Sequence, residues 1–205
     1  MAKRSRSSEA GARGGRPPRG DPGAPSARLF LALEPRDADR AALAAWRDRA
    51  IAGREDLRPV AADHLHLTLV FLGRRPEEEI PRVAAVASAA VEGARAVMLE
   101  PVAVTGVPPR APRLFALDLA DPVGHATALQ AAVAGALENG GLHTPEKRPW
   151  WPHVTLARVR RGARAGPLEV APPEAPISAV AVTLYRSVLS PSGARYLPEA
   201  RHVLP

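Results

Sequence analysis

The chain has no cysteine, so disulfides, thiolate metal sites and thiol redox chemistry are all excluded. It has no apolar run approaching the roughly 18 residues that span a bilayer, and its basic N-terminus lacks the apolar stretch of a secretory signal. A cytoplasmic protein that does not enter membranes is the expectation. Aromatic residues are few: three Trp, two Tyr and three Phe in 205 residues, so Ala, Val and Leu supply most of the apolar content. Lysine is almost absent, at Lys3 and Lys147 only, and the net charge of +7 is therefore an arginine charge. Residues 1–27 hold six basic and two acidic side chains, which leaves +3 for the other 178 residues. That segment is rich in Arg, Gly, Pro and Ser and nearly free of large apolar residues. It cannot bury enough surface to offset the entropy of ordering, and is expected to be a disordered basic tail ahead of one domain over 28–205.

What is present is a repeat. Asp63–Leu72 reads DHLHLTLVFL and Trp151–Arg158 reads WPHVTLAR, and each places His-x-Thr inside an apolar, strand-like run. Side chains alternate faces along a strand, so His66 and Thr68 share one face, and His153 and Thr155 share another. RLF opens a strand at Arg28 and again at Arg113; a helical segment follows each, then a His-x-Thr strand, with the two copies offset by 85 to 87 residues. Two copies of a strand–helix–strand unit predict two pseudo-symmetric lobes related by a twofold axis, with the two His-x-Thr strands face to face across a cleft.

Around the motifs the pattern predicts strands at 28–34, 58–60, 64–72, 97–107, 113–119, 153–160, 177–189 and 195–203, the last two joined by a Ser190–Gly193 turn. Helices are expected over 37–52, capped by Asp37, over 77–94, and over 121–138, capped by Asp121. The fold class is α+β: two lobes, each an antiparallel-rich sheet with helices packed outside, and a central cleft carrying both motifs.

Two imidazoles and two hydroxyls facing one cleft suit acid/base chemistry at a phosphodiester. Imidazole titrates near pH ~6.5, so one ring can take a proton from water while the other gives one to a leaving oxygen. The threonine hydroxyls can donate to phosphate oxygens. Neither a metal nor a cofactor is required. Symmetry alone does not say which histidine does which. His64-x-His66 also has the spacing of paired zinc ligands on one strand, but no third ligand accompanies it, and His64 reads as a solvent-facing strand residue. Trp151 is a candidate to stack on a nucleobase. Arg158, of opposite parity to His153 in an ideal strand, could reach phosphate at the strand end, and Tyr185 sits in a late strand that could flank the cleft.

The segments HLHLTLVFLG (64–73) and PHVTLAR (152–158) resemble the paired hallmarks of the two-histidine (2H) phosphoesterases. RLFLALE (28–34) and VTLYRSVLSPSGARY (182–196) extend the resemblance to the bacterial RNA 2′,3′-cyclic phosphodiesterase branch (LigT/ThpR type) over about 28–203. The resemblance implies a two-lobed α+β fold and hydrolysis of a terminal 2′,3′-cyclic phosphate on RNA or a nucleotide to a 2′-phosphomonoester without metal, with 2′–5′ RNA ligation as a reverse reaction. It implies His66 as proton donor, His153 as proton acceptor, and Thr68 and Thr155 as phosphate ligands. A monomer is expected. A non-catalytic RNA-binding protein that uses the Arg-rich tail is the competing class.

Overall fold

The computed structural model describes residues 25–190 and 193–205. The expected tail, but for its last three residues, and the middle of the 190–193 turn lie outside the described residues. Among the described residues the strands are β1 (Ser26–Pro35), β2 (Leu57–Pro59), β3 (Leu67–Pro76), β4 (Val97–Val107), β5 (Leu114–Ala120), β6 (His153–Val159), β7 (Ile177–Ser190) and β8 (Gly193–Val203), and the helices are α1 (Asp37–Ala50), α2 (Ile80–Ala90) and α3 (His125–Asn139).

All strand pairings are antiparallel. One lobe is the sheet β3-β1-β7-β8 and the other is β4-β5-β6-β2. The lobes join at two seams. β4 meets β7 over Val97–Leu99 and Ile177–Ala179, and β3 meets β6 at the single pair Leu67↔Val154. β1 pairs with β3 as β5 pairs with β6. The two motif strands do not face one another across a gap, however. They lie side by side at the seam, and the cleft opens above them.

One continuous apolar core lies beneath. Leu65, Leu67 and Leu69 of one motif and Val154 and Leu156 of the other are buried with Leu43 of α1, Val83 and Ala87 of α2, and Leu129, Val133 and Leu137 of α3. The α3 positions recur at four-residue intervals, so one stripe of the helix covers the sheet. On α1 that stripe includes Arg47, which the apolar pattern alone does not mark as an inside residue. Its guanidinium is satisfied by the Val60 carbonyl and by Asp48 at 2.8 Å, which is what burial of a charge requires.

Several boundaries differ from expectation for local reasons. Asp37 is inside α1, not its cap; the flanking residue is Arg36, and Asp37 and Asp39 instead place negative charge on the first turn. Asp121 acts from further out. α3 begins at His125, and the Asp121 carboxylate reaches the Thr127 backbone N–H at 2.7 Å and its hydroxyl at 2.8 Å. Residues 77–79 form a 3₁₀ turn before α2. β3 does not stop at Gly73 but runs on to Pro76. Leu72 is an extra residue against β1, and Gly73 at φ 70° absorbs the irregularity, so pairing resumes at Leu29.

Candidate active site

Leu67 opposite Val154 fixes the geometry of the site. In an antiparallel pair the next residues out are opposite as well, so His66 stands across from Thr155 and Thr68 across from His153. Leu67 and Val154 point into the core. The four polar side chains therefore share the other face, arranged around a local twofold axis that passes between Leu67 and Val154. The two histidines are diagonal neighbours, which in a regular ladder lie roughly 7–8 Å apart, with their Cβ atoms somewhat closer. All four residues line a cleft of about 650 Å³.

Each imidazole is fixed in the same manner. The Nδ1–H of His66 donates to the His64 carbonyl at 2.8 Å, and the Nδ1–H of His153 donates to the Trp151 carbonyl at 2.8 Å. A carbonyl can only accept, so Nδ1 carries the proton in both rings and Nε2 is left for the cleft. His64 is thus not a solvent-facing strand residue. It lies in a 3₁₀ turn over Ala62–His64, its carbonyl orients His66, and its ring lies 4.4 Å from that of Tyr196 at the cleft wall. The loop ahead of β6 is tied to β3 by Trp150, whose indole N–H donates to the Thr68 carbonyl at 2.9 Å. Each motif thereby helps to place the other.

The rings differ in their surroundings. His66 stacks on Phe30 with centroids 5.1 Å apart and meets the edge of Tyr196 at 5.4 Å. Burial pushes its pKa down to about 4, aided by repulsion from His64 and His153, against the opposing effects of its hydrogen bond and of the nearby Glu34. Burial also lowers His153, against the pull of its hydrogen bond and of Asp118. His153 is covered on one face by Trp151, stacked at 3.8 Å and 17°.

Arg158 reaches the cleft although simple alternation points it away. The reason is a bulge. Phe115 pairs with Ala157 but Ala116 pairs with Thr155, so β6 carries Leu156 as an extra residue there. Leu156 and Ala157 are both buried, and Arg158 is returned to the face of His153 and Thr155. The other motif has the same device. β3 carries Leu69 as an extra residue between Thr68 and Val70, and Phe71 is returned to the cleft face. A strict reading of period two misses both.

Tyr185 stands behind the cleft wall. Its hydroxyl donates to Glu34 at 2.5 Å, burial and this bond raise its pKa, and its ring stacks on Phe30 at 5.3 Å. The residues that sequence reasoning missed are Phe30, Phe71 and Tyr196 on one wall and Arg28 and Arg58 at the mouth. Arg28 and Phe30 belong to the repeated RLF, which was the one available signal; Phe71 depends on a bulge, Tyr196 on the β7–β8 hairpin and Arg58 on the pairing of β2 with β6. Among the described residues no group of three or more His, Asp or Glu is arranged to hold a metal ion.

The model of the 2′-5′ RNA ligase superfamily matches residues 35–186. The chain belongs to this superfamily of two-histidine phosphoesterases. It is 34% identical over 180 residues to the RNA 2′,3′-cyclic phosphodiesterase of Thermus thermophilus, a match covering 82% of this chain and 86% of that protein. Among solved structures it is similar to E. coli LigT complexed with 3′-AMP, at 27% identity and a TM-score of 0.71 over 88% of this chain and 99% of LigT. It is also similar to TT0787 of Thermus thermophilus, at 28% identity and a TM-score of 0.72 over 86% and 97% of the two chains. The α+β, two-lobed architecture is that of these structures. No helix among the described residues is long and apolar enough to cross a membrane.

Proposed function

We propose that the protein is an RNA 2′,3′-cyclic phosphodiesterase that opens a terminal cyclic phosphate to a 2′-phosphomonoester, with 2′–5′ ligation as the reverse reaction. The observation that carries this reading is the quartet at the seam: two imidazoles, each presenting Nε2, alternate with two threonine hydroxyls around one point. A single tetrahedral phosphate on the axis meets all four.

The chemistry follows from that placement. His153 Nε2 takes a proton from water as the water oxygen bonds to phosphorus. The P–O3′ bond breaks, and His66 Nε2–H supplies the proton to O3′, leaving the phosphate on O2′. Thr68 and Thr155 donate to the non-bridging oxygens, where negative charge accumulates. Attack and departure occur on opposite sides of phosphorus, as the diagonal placement of the rings permits. The donor and acceptor roles follow the family resemblance of the two motifs. In the empty cleft burial lowers the proton affinity of both rings, that of His66 to about 4. An anionic phosphodiester within hydrogen-bond reach of Nε2 opposes that drop and stabilises the reactive form.

The walls suit a nucleotide. Phe71, 53% exposed, and Tyr196 offer rings to a base on one side, and Arg58 and Arg158 offer positive charge on the other. The test is product analysis with a 2′,3′-cyclic mononucleotide in the presence of EDTA. The expected result is the 2′-phosphate alone at an undiminished rate. A 3′-phosphate product, or loss of turnover in chelator with recovery on adding zinc, contradicts the reading.

A further inference from the structure

The twofold relation extends to two carboxylates in the neighbouring strands that the chemistry above does not use. Asp118 pairs with His153 across β5 and β6. Leu33 pairs with Leu67 across β1 and β3, which sets Glu34 alongside His66. The two acids occupy equivalent places, and each is held by an equivalent threonine from the next strand: Thr105 of β4 donates to Asp118 at 2.5 Å, and Thr183 of β7 donates to Glu34 at 2.6 Å. Neither hydrogen-bonds to a histidine; each accepts instead from an aromatic residue. The Trp151 indole N–H donates to Asp118 at 3.2 Å, and this same Trp151 stacks on His153 and supplies the carbonyl that fixes its Nδ1. The Tyr185 hydroxyl donates to Glu34, Tyr185 stacks on Phe30, and Phe30 stacks on His66. Glu34 is 7% exposed and also accepts from Arg201 at 2.9 Å; burial alone would raise its pKa, but these three donors and the charge of Arg201 hold it below the usual carboxylate range.

We propose that Asp118 and Glu34 are positioning residues, each anchoring through a hydrogen bond the aromatic brace that sets the orientation of one catalytic histidine. The device is built twice, through Trp151 beside His153 and through Tyr185 and Phe30 beside His66. Trp151, an indole 39% exposed, lies flat against the imidazole while its N–H is held by Asp118. A misplacement of the order of 1 Å at a reacting group can cost about 10²-fold in rate, so a brace of this type acts on turnover more than on binding.

The inference rests on the two-histidine reaction proposed above, so the experiment includes a readout that does not need it. In the full chain, Asp118→Ala, Asp118→Asn, Trp151→Phe and the Asp118→Ala/Trp151→Phe double variant are compared by turnover of a cyclic mononucleotide and by ¹⁵N chemical shifts of the histidine rings. Asn keeps an acceptor and loses the charge; Phe keeps a stacking ring and loses the donor. The expected result is that Asp118→Ala lowers kcat about tenfold with KM changed less than twofold, and that Asp118→Asn restores most of kcat. The double variant is expected to be no slower than the slower single, because both changes break one bond. The His153 ring, in its Nδ1–H form in the native chain, is expected to become a mixture of tautomers in Asp118→Ala. Tyr185→Phe is the matching test in the other lobe, where an effect on kcat smaller than that of Asp118→Ala is expected because a second ring intervenes. Native kcat in Asp118→Ala, an Asp118→Asn as slow as Asp118→Ala, additive single effects, or an unchanged His153 tautomer overturns the proposal. If the native protein leaves the cyclic nucleotide intact, the reaction assignment fails, and the tautomer shift still decides the brace.

Discussion

The two lobes share a plan and differ in what they present to solvent. Each supplies a His-x-Thr, a bulge immediately after the threonine, and a carboxylate in the neighbouring strand held by a second threonine. Yet the side chain that the bulge returns to the cleft is Phe71 in one lobe and Arg158 in the other. The histidine of the first lobe is packed against Phe30 and Tyr196, whereas that of the second has one tryptophan beside it. In the proposed reaction the symmetric part is the machinery that a phosphodiester requires, namely one proton given, one taken, and two oxygens held. The asymmetric part is, on the same proposal, what tells one end of a substrate from the other. The proposal thus assigns the chemistry to the strand positions and the selectivity to the positions that the bulges release.

The predictions challenge this division, beginning with the largest effect. In the proposed mechanism His66→Ala and His153→Ala each remove one proton-transfer partner, and each is expected to lower kcat for a cyclic mononucleotide by about 10²–10⁴-fold with the circular dichroism spectrum unchanged. Equal losses in the two variants support equal partnership; a loss confined to one breaks it. Thr68→Val and Thr155→Val keep shape and remove a hydroxyl, and each is expected to cost on the order of 10²-fold in kcat, measured at saturating substrate.

The pH dependence sharpens the comparison of the two rings. In the proposed mechanism the productive form carries one proton between the two imidazoles, so kcat/KM is expected to fall when the second is protonated and again when both are neutral. Both rings lie below 6.5 in the empty cleft, one at about 4. The expected profile of kcat/KM is therefore a bell with its maximum on the acid side of 6.5, and a value at pH 8 more than about tenfold below that maximum. The kcat profile, which reports the occupied cleft, is expected to lie at higher pH, because a bound phosphate anion favours imidazolium. Coincident profiles contradict this. The smallest effects concern the walls. Phe71→Ala is expected to raise KM several-fold for mononucleotides and oligonucleotides alike. Arg158→Ala is expected to raise KM more for an oligonucleotide than for a mononucleotide, and to weaken its salt dependence. Indistinguishable behaviour of the two variants would remove the asymmetry from the account.

Much of this is legible in the sequence because the site is built from the repeat itself. The offset of 85 to 87 residues marks His66 and His153 as equivalent, and period-two alternation separates Thr68 and Thr155 from the leucines beneath. Two kinds of feature are not legible. Bulges add one residue and reverse parity, and nothing in Leu69–Val70 or Leu156–Ala157 announces them, so alternation overlooks Phe71 and points Arg158 away. Contacts between distant strands are also silent. Glu34 and Tyr185 are 151 residues apart, and only the register of β1 on β7 shows Tyr185 as a support behind Phe30 instead of a wall of the cleft. The seam escapes the sequence for a related reason. The repeat implies an axis but does not say whether the equivalent strands meet edge to edge or face to face, and the single pair Leu67↔Val154 decides it.

The central claim is that His66 and His153 act as one unit on one phosphate. Single-turnover rates for hydrolysis of a 2′,3′-cyclic nucleotide by the native protein, His66→Ala, His153→Ala and the double variant test it most directly. The account predicts that either single change removes nearly all of the catalysis and that the double variant is no slower than the slower single. Near-native turnover by either single variant, or losses that multiply in the double variant, would contradict it.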